Sequence, residues 1–155
     1  RGLLPELVEG HLATANYFQT IDREANQQFV ERFRQEHGED RVISDPMEAA
    51  YVSAHLWKAA VELAGSTDTA AVRKALGTQI QIEAPGGRVH VDKRNQHLTK
   101  RCRVGKIRSD RQFDIVYEAP RMLTPDPFPQ TSFPGWRCDW TDYGLVEGDP
   151  VRLEP

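Results

Sequence analysis

The chain has 155 residues, 39% of them hydrophobic, and a formal net charge of −3 from 20 Lys and Arg against 23 Asp and Glu. This length and apolar content suffice for the core of one ordinary domain. No apolar run approaches the length of a transmembrane helix, and no basic segment followed by an apolar one begins the chain, so neither a membrane span nor a signal peptide is predicted. Because Lys and Arg are nearly balanced by acidic residues, nucleic acid is not an expected partner.

The first third of the chain predicts a strand followed by a helix. The strand is expected over residues 7–17, with a loop over residues 19–21. Asp22 is the predicted N-cap of the helix, since a carboxylate there accepts hydrogen bonds from free amides of the first turn. The helix ends at Gly38. Its apolar face consists of Ala25, Phe29, Val30 and Phe33. A short strand end is predicted at residues 42–43.

The segment beginning at Ser44 carries the strongest local helix signal. Asp45 is predicted as N-cap and Pro46 as the first helical residue, where its missing amide does no harm. Glu48 stands three residues after Asp45 and is expected to bond back to the Asp45 amide as a capping box. Gly65 ends this helix. Its predicted buried face consists of Ala50, Ala54, Trp57, Val61 and Ala64.

A third helix is predicted after Asp68 and ends at Gly77. The pattern then changes to a period of two, which indicates strands around residues 80–82, 89–91, 102–107 and 113–117. Polar turns separate them at residues 85–87, 93–97 and 108–112. Seven of the ten prolines lie from Pro120 onward, and this region is interpreted as an extended, aromatic-rich tail.

Candidate catalytic and metal-binding groups are sparse. Ser44, Asp45 and His55 lie close in sequence, but Asp45 is expected to be a helix cap. His90, Asp92 and His97 flank a turn and are interpreted as solvated side chains rather than metal ligands.

Residues 85–88 lack the Lys and the Ser or Thr of a phosphate-binding loop. The basic run 100–103 is interpreted as a solvent-facing strand edge. No enzyme activity, cofactor or metal is therefore predicted. Cys102 and Cys138 could form a disulfide or both be free thiols.

Two adjacent aromatic residues at the end of the first strand, Tyr17 and Phe18, are candidate ligand contacts. In α/β sheets, ligands bind beyond the carboxyl ends of strands, and an aromatic ring there can form the wall of a cleft. The alternative is that one ring packs in the core while the other shields a loop.

Several segments together resemble the type I periplasmic binding proteins. Within that superfamily, the resemblance is closest to the substrate-binding protein of urea ABC transporters and to its sibling, the short-chain amide sensor that regulates aliphatic amidase expression. The resemblance covers about residues 5–129 and rests on residues 9–11, 17–18, 21–22, 26, 29–30, 44–51, 84–87, 91–92, 95–98, 104–107, 112–113 and 124–128. Arg111 stands where such hairpins carry Gly, which predicts a different turn geometry.

The resemblance implies an α/β fold of two Rossmann-like, three-layer lobes, of which this chain is only the C-terminal portion. Residues 1–42 are then the end of the second lobe, and residues 43–78 are helices that return to the first lobe. Residues 79–129 are hinge-crossing strands followed by second-lobe strands. Residues 130–155 form a tail that the resemblance does not assign.

The implied function is the binding of urea or a short-chain amide between the lobes by hinge closure, without catalysis. Partners would be the small ligand and the membrane permease subunits, at a periplasmic or extracellular location; the fragment could also associate with itself. The alternatives are a cytoplasmic amide-sensing regulator of the same fold and a branched-chain amino acid binding protein. The candidate ligand-binding residues are Tyr17, Phe18, Asp45, Glu48 and Tyr51, although capping remains the favoured role for Asp45 and Glu48.

Overall fold

The structure is a computed structural model that describes residues 4–78 and 80–136. Four helices and six short strands follow one another in the order α, β, α, α, α and then five strands. They are α1 (Pro5–Val8), β1 (Leu12–Ala15), α2 (Glu24–His37), α3 (Asp45–Ala64), α4 (Thr69–Leu76), β2 (Gln81–Ala84), β3 (Gly87–Val91), β4 (Leu98–Thr99), β5 (Arg103–Ile107) and β6 (Phe113–Glu118).

One group of elements, here called the α2 unit, consists of β1, α2, β5 and β6. The three strands form an antiparallel sheet in the order β1-β5-β6. Tyr17, Phe18, Ile21 and Ile43 form the buried centre of this unit, and apolar side chains of α2 and β6 pack against them. Residues on either side of α2 in the sequence thus converge on one core.

The other group, here called the α3 unit, consists of α3, α4 and the antiparallel sheet β2-β3-β4. Val52 and Leu56 of α3 pack against Ala84, Val89 and Val91 of this sheet. Farther along α3, Ala60 packs against Val72 and Ala75 of α4. The described strands of the two units belong to separate sheets.

The predicted strand over residues 7–17 is wrong in its first half. Residues 5–8 form the short helix α1, and the strand extends only from Leu12 to Ala15. Gly10 has a φ of +84° between the two, a conformation that favours glycine. The chain turns there, because the next residues pair with β5 rather than continuing an extended run.

Helix α3 has the predicted extent but a different start and a different buried face. Ser44 is the N-cap, so Asp45 is the first helical residue and the prediction that it caps the helix is wrong. The predicted face is wrong in its first part, since Ala50, Ala54 and Trp57 are exposed, whereas Val61 and Ala64 pack against the cluster around Ala60 as predicted. The buried row is Glu48, Val52, Leu56 and Ala60, with a spacing of four residues.

The sequence predicts the start of α4 correctly but places the start of α2 one residue too early. The N-cap of α2 is Arg23 rather than Asp22, and no side chain caps that helix. Helix α4 begins after Asp68, as predicted; Asp68 is its N-cap, and its carboxylate accepts a hydrogen bond from the Ala71 amide at 3.0 Å. The buried residues of α4 are Val72 and Ala75.

The hairpins follow the predicted alternation, with one correction in turn geometry. Arg111 has a φ of +65°, which is the left-handed conformation that glycine usually supplies. The β5–β6 turn therefore keeps the backbone geometry of a glycine turn, and the expectation of a different geometry is wrong. Residues 42–43, predicted as a strand end, belong to no strand.

The end of the described chain forms a local aromatic cluster. Phe128, Phe133 and Trp136 contact one another with ring centroids 5.3–5.8 Å apart. The Gln130 side chain bonds to the Gly135 amide and to the Trp136 carbonyl.

Residues 137–155 lie outside the described residues. The prediction that Cys138 either pairs with Cys102 or remains free therefore stays a prediction. Within residues 4–78 and 80–136, no helix is long and apolar enough to cross a membrane.

Candidate functional site

Four segments converge where the chain passes between the two units. The chain leaves the α2 unit at residues 43–45, where α3 begins, and returns at residues 100–103, where β5 begins. The loop after β1 and the turn between β2 and β3 meet at the same place, since Gly86 lies beside Asn16 and Tyr17. We call this region the junction.

Tyr17 is buried at the junction, with 2% of its surface exposed. Its hydroxyl donates a hydrogen bond of 2.8 Å to Asn26 Oδ1. The Asn26 amide nitrogen in turn donates to the carbonyl oxygens of Gln19 and Ile21. Burial, together with the nearby Glu48 carboxylate, raises the pKa of Tyr17 above its ordinary value. The ring therefore positions the loop after β1, and its hydroxyl is already bonded within the core.

Glu48 is fully buried and does not form the predicted capping box. Its Oε2 accepts a hydrogen bond of 2.7 Å from Lys100 Nζ, and its Oε1 accepts a long one of 3.4 Å from the Gly86 amide. The capping prediction is wrong because α3 begins at Asp45, one residue before the predicted first helical residue Pro46. Glu48 therefore belongs to the buried row of the helix. Its carboxylate joins α3 to the β2–β3 turn and to the segment after β4.

Arg103 is the main junction residue that sequence reasoning missed. It is 2% exposed, so the interpretation of residues 100–103 as a solvent-facing edge is wrong for this residue. Its Nη1 donates to the Asn16 carbonyl at 2.6 Å and its Nη2 to the Gly86 carbonyl at 2.8 Å. Its Nε donates to Glu118 Oε2 at 2.5 Å. The alternation of the basic run marks which residues share a face, but it does not show which face is buried.

The remaining candidate residues lie around the junction in different environments. Phe18 is buried against Phe113, with ring centroids 4.7 Å apart. Asp45 is partly exposed, yet its Oδ1 is buried and has no hydrogen-bond partner among the described residues. Tyr51 is 38% exposed, and its ring stacks against Phe29 at 4.5 Å and His55 at 4.3 Å. Among the described residues, no hydrogen bond or ring contact joins any two of Phe18, Asp45 and Tyr51.

A groove of about 400 Å³ lies between the two units. Phe29 and Phe33 of α2 form one wall, and Tyr51 of α3 and Pro85 of the β2–β3 turn form the other. The charged groups Arg32, Glu36 and Glu83 also line it. The groove depends on the relative position of the units, because each unit supplies only part of its lining.

Asp92 and His55, considered above as metal-binding and catalytic candidates, have other contacts in the structure. Among the described residues, no group of three or more His, Cys, Asp and Glu side chains is placed to hold a metal ion. The Asp92 carboxylate, considered above beside two histidines, bonds to the Arg94 guanidinium at 2.6 and 3.0 Å, which lowers the pKa of Asp92. His55 stacks on Tyr51 and has no recorded contact with Ser44.

Two α/β units joined by paired crossings around a buried junction are typical of the lobe-and-hinge class of binding proteins. Residues 1–134 match the family described as periplasmic binding protein domain. The chain belongs to this family, and its fold is the type I periplasmic binding fold.

Solved structures of the same fold include three binding proteins. The solute-binding protein of an ABC transporter from Rhodopseudomonas palustris, in complex with 3,4-dihydroxybenzoic acid, matches with a TM-score of 0.68 at 17% identity, covering 76% of this chain and 33% of that one. A leucine-binding protein from Thermotoga maritima has a TM-score of 0.61 at 21% identity, covering 74% and 34%. A leucine-, isoleucine-, valine-, threonine- and alanine-binding protein from Brucella ovis has a TM-score of 0.66 at 16% identity, covering 77% and 34%.

A curated relative with a different name also matches. Limonene hydroxylase from Geobacillus stearothermophilus is 30% identical over 118 residues, which are 76% of this chain and 21% of that protein. The chain thus spans about a third of the solved structures above and about a fifth of this relative. The division into lobes at residues 42, 78 and 129, and the assignment to the C-terminal part of the fold, stay predictions.

Proposed function

We propose that this chain is part of the solute-binding component of an ABC transporter, which binds a small solute between two lobes and delivers it to membrane permease subunits. The observation that supports this proposal is the junction, where two units with separate sheets are joined by two chain crossings and a few side chains. Such units can change their relative angle without breaking either core. The location that follows is periplasmic or extracellular, with the membrane contact made through the permease.

The proposed solute is urea or a short-chain amide. The support is the resemblance of residues 44–51, 84–87 and 95–98 to the urea-binding proteins. A buried amide needs acceptors for its N–H groups, because the burial of an unpaired polar group costs about 1–3 kcal/mol in desolvation free energy. Tyr17 and Glu48 already have bonding partners, whereas Asp45 Oδ1 has none among the described residues. Asp45 is therefore the proposed acceptor on this chain.

Branched-chain amino acids are the second candidate solute. One of the solved structures is named for binding leucine, and another for binding leucine, isoleucine, valine, threonine and alanine. A zwitterionic amino acid would require an anion-binding group as well as an acceptor. A cytoplasmic amide sensor of the same fold is the remaining alternative, and it differs in its partner rather than in its solute.

We also propose that the chain has no catalytic role. The limonene hydroxylase match covers a fifth of that protein, and the name belongs to the whole relative. The considered group of Ser44, Asp45 and His55 offers no hydrogen-bonded nucleophile and base among the described contacts.

Calorimetric titration of the longest polypeptide that the gene encodes tests the solute. Urea and acetamide are compared with leucine and 4-hydroxybenzoate. Binding of urea or acetamide supports the proposal, binding of leucine alone favours the second candidate, and binding of none of the four overturns it. The 155-residue chain alone is expected to show no tight binding of urea, since most of the fold of its relatives is outside it.

A matched pair of variants tests the acceptor. Asp45→Asn keeps the shape of the side chain but removes its charge, and it is expected to weaken binding about tenfold. Asp68→Asn makes the same change at the N-cap of α4, where the carboxylate bonds to the Ala71 amide, and is expected to leave the affinity unchanged. Equal effects of both substitutions, or no effect of the first, would remove Asp45 from the proposed site.

A further inference from the structure

Few side chains join the α2 unit to the α3 unit. Two of the contacts are ionic or hydrogen-bonded through arginine: Arg103 reaches the Gly86 carbonyl at 2.8 Å, and Arg23 reaches Glu83 Oε2 at 3.3 Å. A third is the ring contact between Phe29 and Tyr51, and a fourth is the ion pair of 2.7 Å between Glu48 of α3 and Lys100 at the crossing into β5. The relative position of the units must depend mainly on such contacts, because their sheets are separate.

Arg103 differs from the other contacts because one planar group holds both units. Its Nη1 bonds to the Asn16 carbonyl in the α2 unit, and its Nη2 bonds to the Gly86 carbonyl in the α3 unit. Its Nε bonds to the Glu118 carboxylate, which fixes the guanidinium at the end of β6. Arginine suits this arrangement, since its donors lie in a rigid fork that a lysine ammonium lacks.

Because Arg103 is buried, its hydrogen bonds constrain the relative position of the two units more than an exposed contact does. Only 3% of its side chain is exposed, whereas the Arg23 and Glu83 side chains are 44% and 51% exposed. An exposed ion pair holds its partners weakly because water competes for both charges, whereas a buried guanidinium that loses an acceptor is left with an unpaired donor in the interior. The Phe29–Tyr51 contact is apolar and non-directional, so it can slide without a comparable loss.

We propose that Arg103 is the positioning residue about which the two units rotate during solute binding. Backbone carbonyl oxygens accept hydrogen bonds over a broad range of directions, so both bonds can persist while the angle between the units changes. The residue lies at the crossing over residues 100–103, where the chain passes from the α3 unit back into the α2 unit. This assignment rests on the proposed function for its role in solute binding, but its mechanical part concerns the chain alone.

Distances between spin labels test the assignment without any solute. Cys102 and Cys138 are first replaced by Ser, and labels are attached at Lys58→Cys on α3 and Asp114→Cys on β6, both exposed positions in different units. In Arg103→Lys and Arg103→Met, the distribution of the distance between the labels is expected to broaden about twofold, because the fork across the units is lost.

Two controls separate a loss of positioning from a loss of folding. Labels at Lys58→Cys and Lys74→Cys, both within the α3 unit, are expected to keep their distance distribution in every variant that folds. Arg23→Met removes the exposed contact between the units and is expected to leave the distance between Lys58 and Asp114 labels unchanged. Arg103→Lys retains the positive charge and decides the matter if Arg103→Met does not fold.

An unchanged distance between the units in Arg103→Lys would overturn the assignment. Equal broadening in Arg23→Met would overturn it too, since the exposed pair would then position the units as well as Arg103 does. Broadening within the α3 unit would show a general loss of structure and would also count against a specific role. None of these outcomes bears on the calorimetric test of the solute, so the two proposals fail separately.

Discussion

The buried pair of Glu48 and Lys100 gives the sharpest test of the junction. The Glu48 side chain is 0% exposed and the Lys100 side chain 13% exposed, with 2.7 Å between Oε2 and Nζ. Replacing Glu48 by Ala leaves a largely buried ammonium without its counter-charge, which costs about 3–5 kcal/mol. Glu48→Gln keeps an oxygen that can accept from Lys100 and is expected to lose about 1.5–3 kcal/mol, the range for a hydrogen bond to a charged group.

A surface pair of the same residue types on the same helix provides the control. Lys58 and Glu62 lie 2.9 Å apart, but their side chains are 67% and 63% exposed. Glu62→Gln is therefore expected to cost about 0.3–0.5 kcal/mol, as for other pairs four residues apart on a helix. Unfolding is followed by circular dichroism in guanidinium chloride, because urea is itself a proposed solute.

A double substitution separates the loss of the pair from the loss of its packing. Glu48→Leu with Lys100→Met replaces both charges by apolar groups and is expected to be far less damaging than Glu48→Ala, since no charge is left unpaired. The reasoning would be refuted if Glu48→Gln were as stable as Glu62→Gln. It would also be refuted if the double variant lost as much stability as Glu48→Ala.

Three further substitutions test other contacts. A Cβ at Gly105 would lie 2.8 Å from Phe18 Cζ, so Gly105→Ala is expected to lower the free energy of unfolding by about 1–3 kcal/mol; Gly77→Ala, with only ordinary contacts, is the control in the same denaturation assay. Asp68→Ala removes a side-chain cap and is expected to cost about 0.5–2 kcal/mol, read from the midpoint of helix unfolding. Because burial raises the pKa of Tyr17, the unfolded chain releases this proton first; the contribution of Tyr17 to stability is therefore full below about pH 10 and falls as the pH rises above it. Tyr17→Phe is expected to reduce that alkaline decline, measured as the denaturation midpoint against pH.

Local signals in the sequence predict the elements that depend on neighbouring residues. Three such predictions are confirmed: the start of α4 after Asp68, the end of α4 at Gly77 and the alternating strands around the 85–87 turn. Each depends on residues within one or two turns of the chain. The capping box at Glu48 is also a local pattern, but it is wrong because a buried partner, Lys100, lies 52 residues away and outweighs it. Pattern alone does not distinguish these two outcomes.

The buried face of α3 shows the same limit in apolar residues. Trp57 is the largest apolar side chain on the helix and is predicted to face the core, yet it is 54% exposed. The interior row begins with the charged Glu48 and continues through Val52 and Leu56. A pattern of apolar residues cannot predict a buried row that starts with a carboxylate. Glu48 is buried because Lys100 and Gly86, from other parts of the chain, donate hydrogen bonds to it.

The charges at the junction are better explained by positioning than by stability. A buried ion pair is often no more stabilising than a well-packed apolar pair of similar volume, so Glu48 and Arg103 need not strengthen the fold. Apolar contacts, however, would fix neither the direction nor the register of the crossing segments. Hydrogen bonds from Arg103 to two carbonyls and from Gly86 and Lys100 to Glu48 define both. A binding protein that closes about a fixed point requires directional hydrogen bonds where the chain crosses between its units. The contact between Phe29 and Tyr51, which lines the groove, must instead allow the rings to slide.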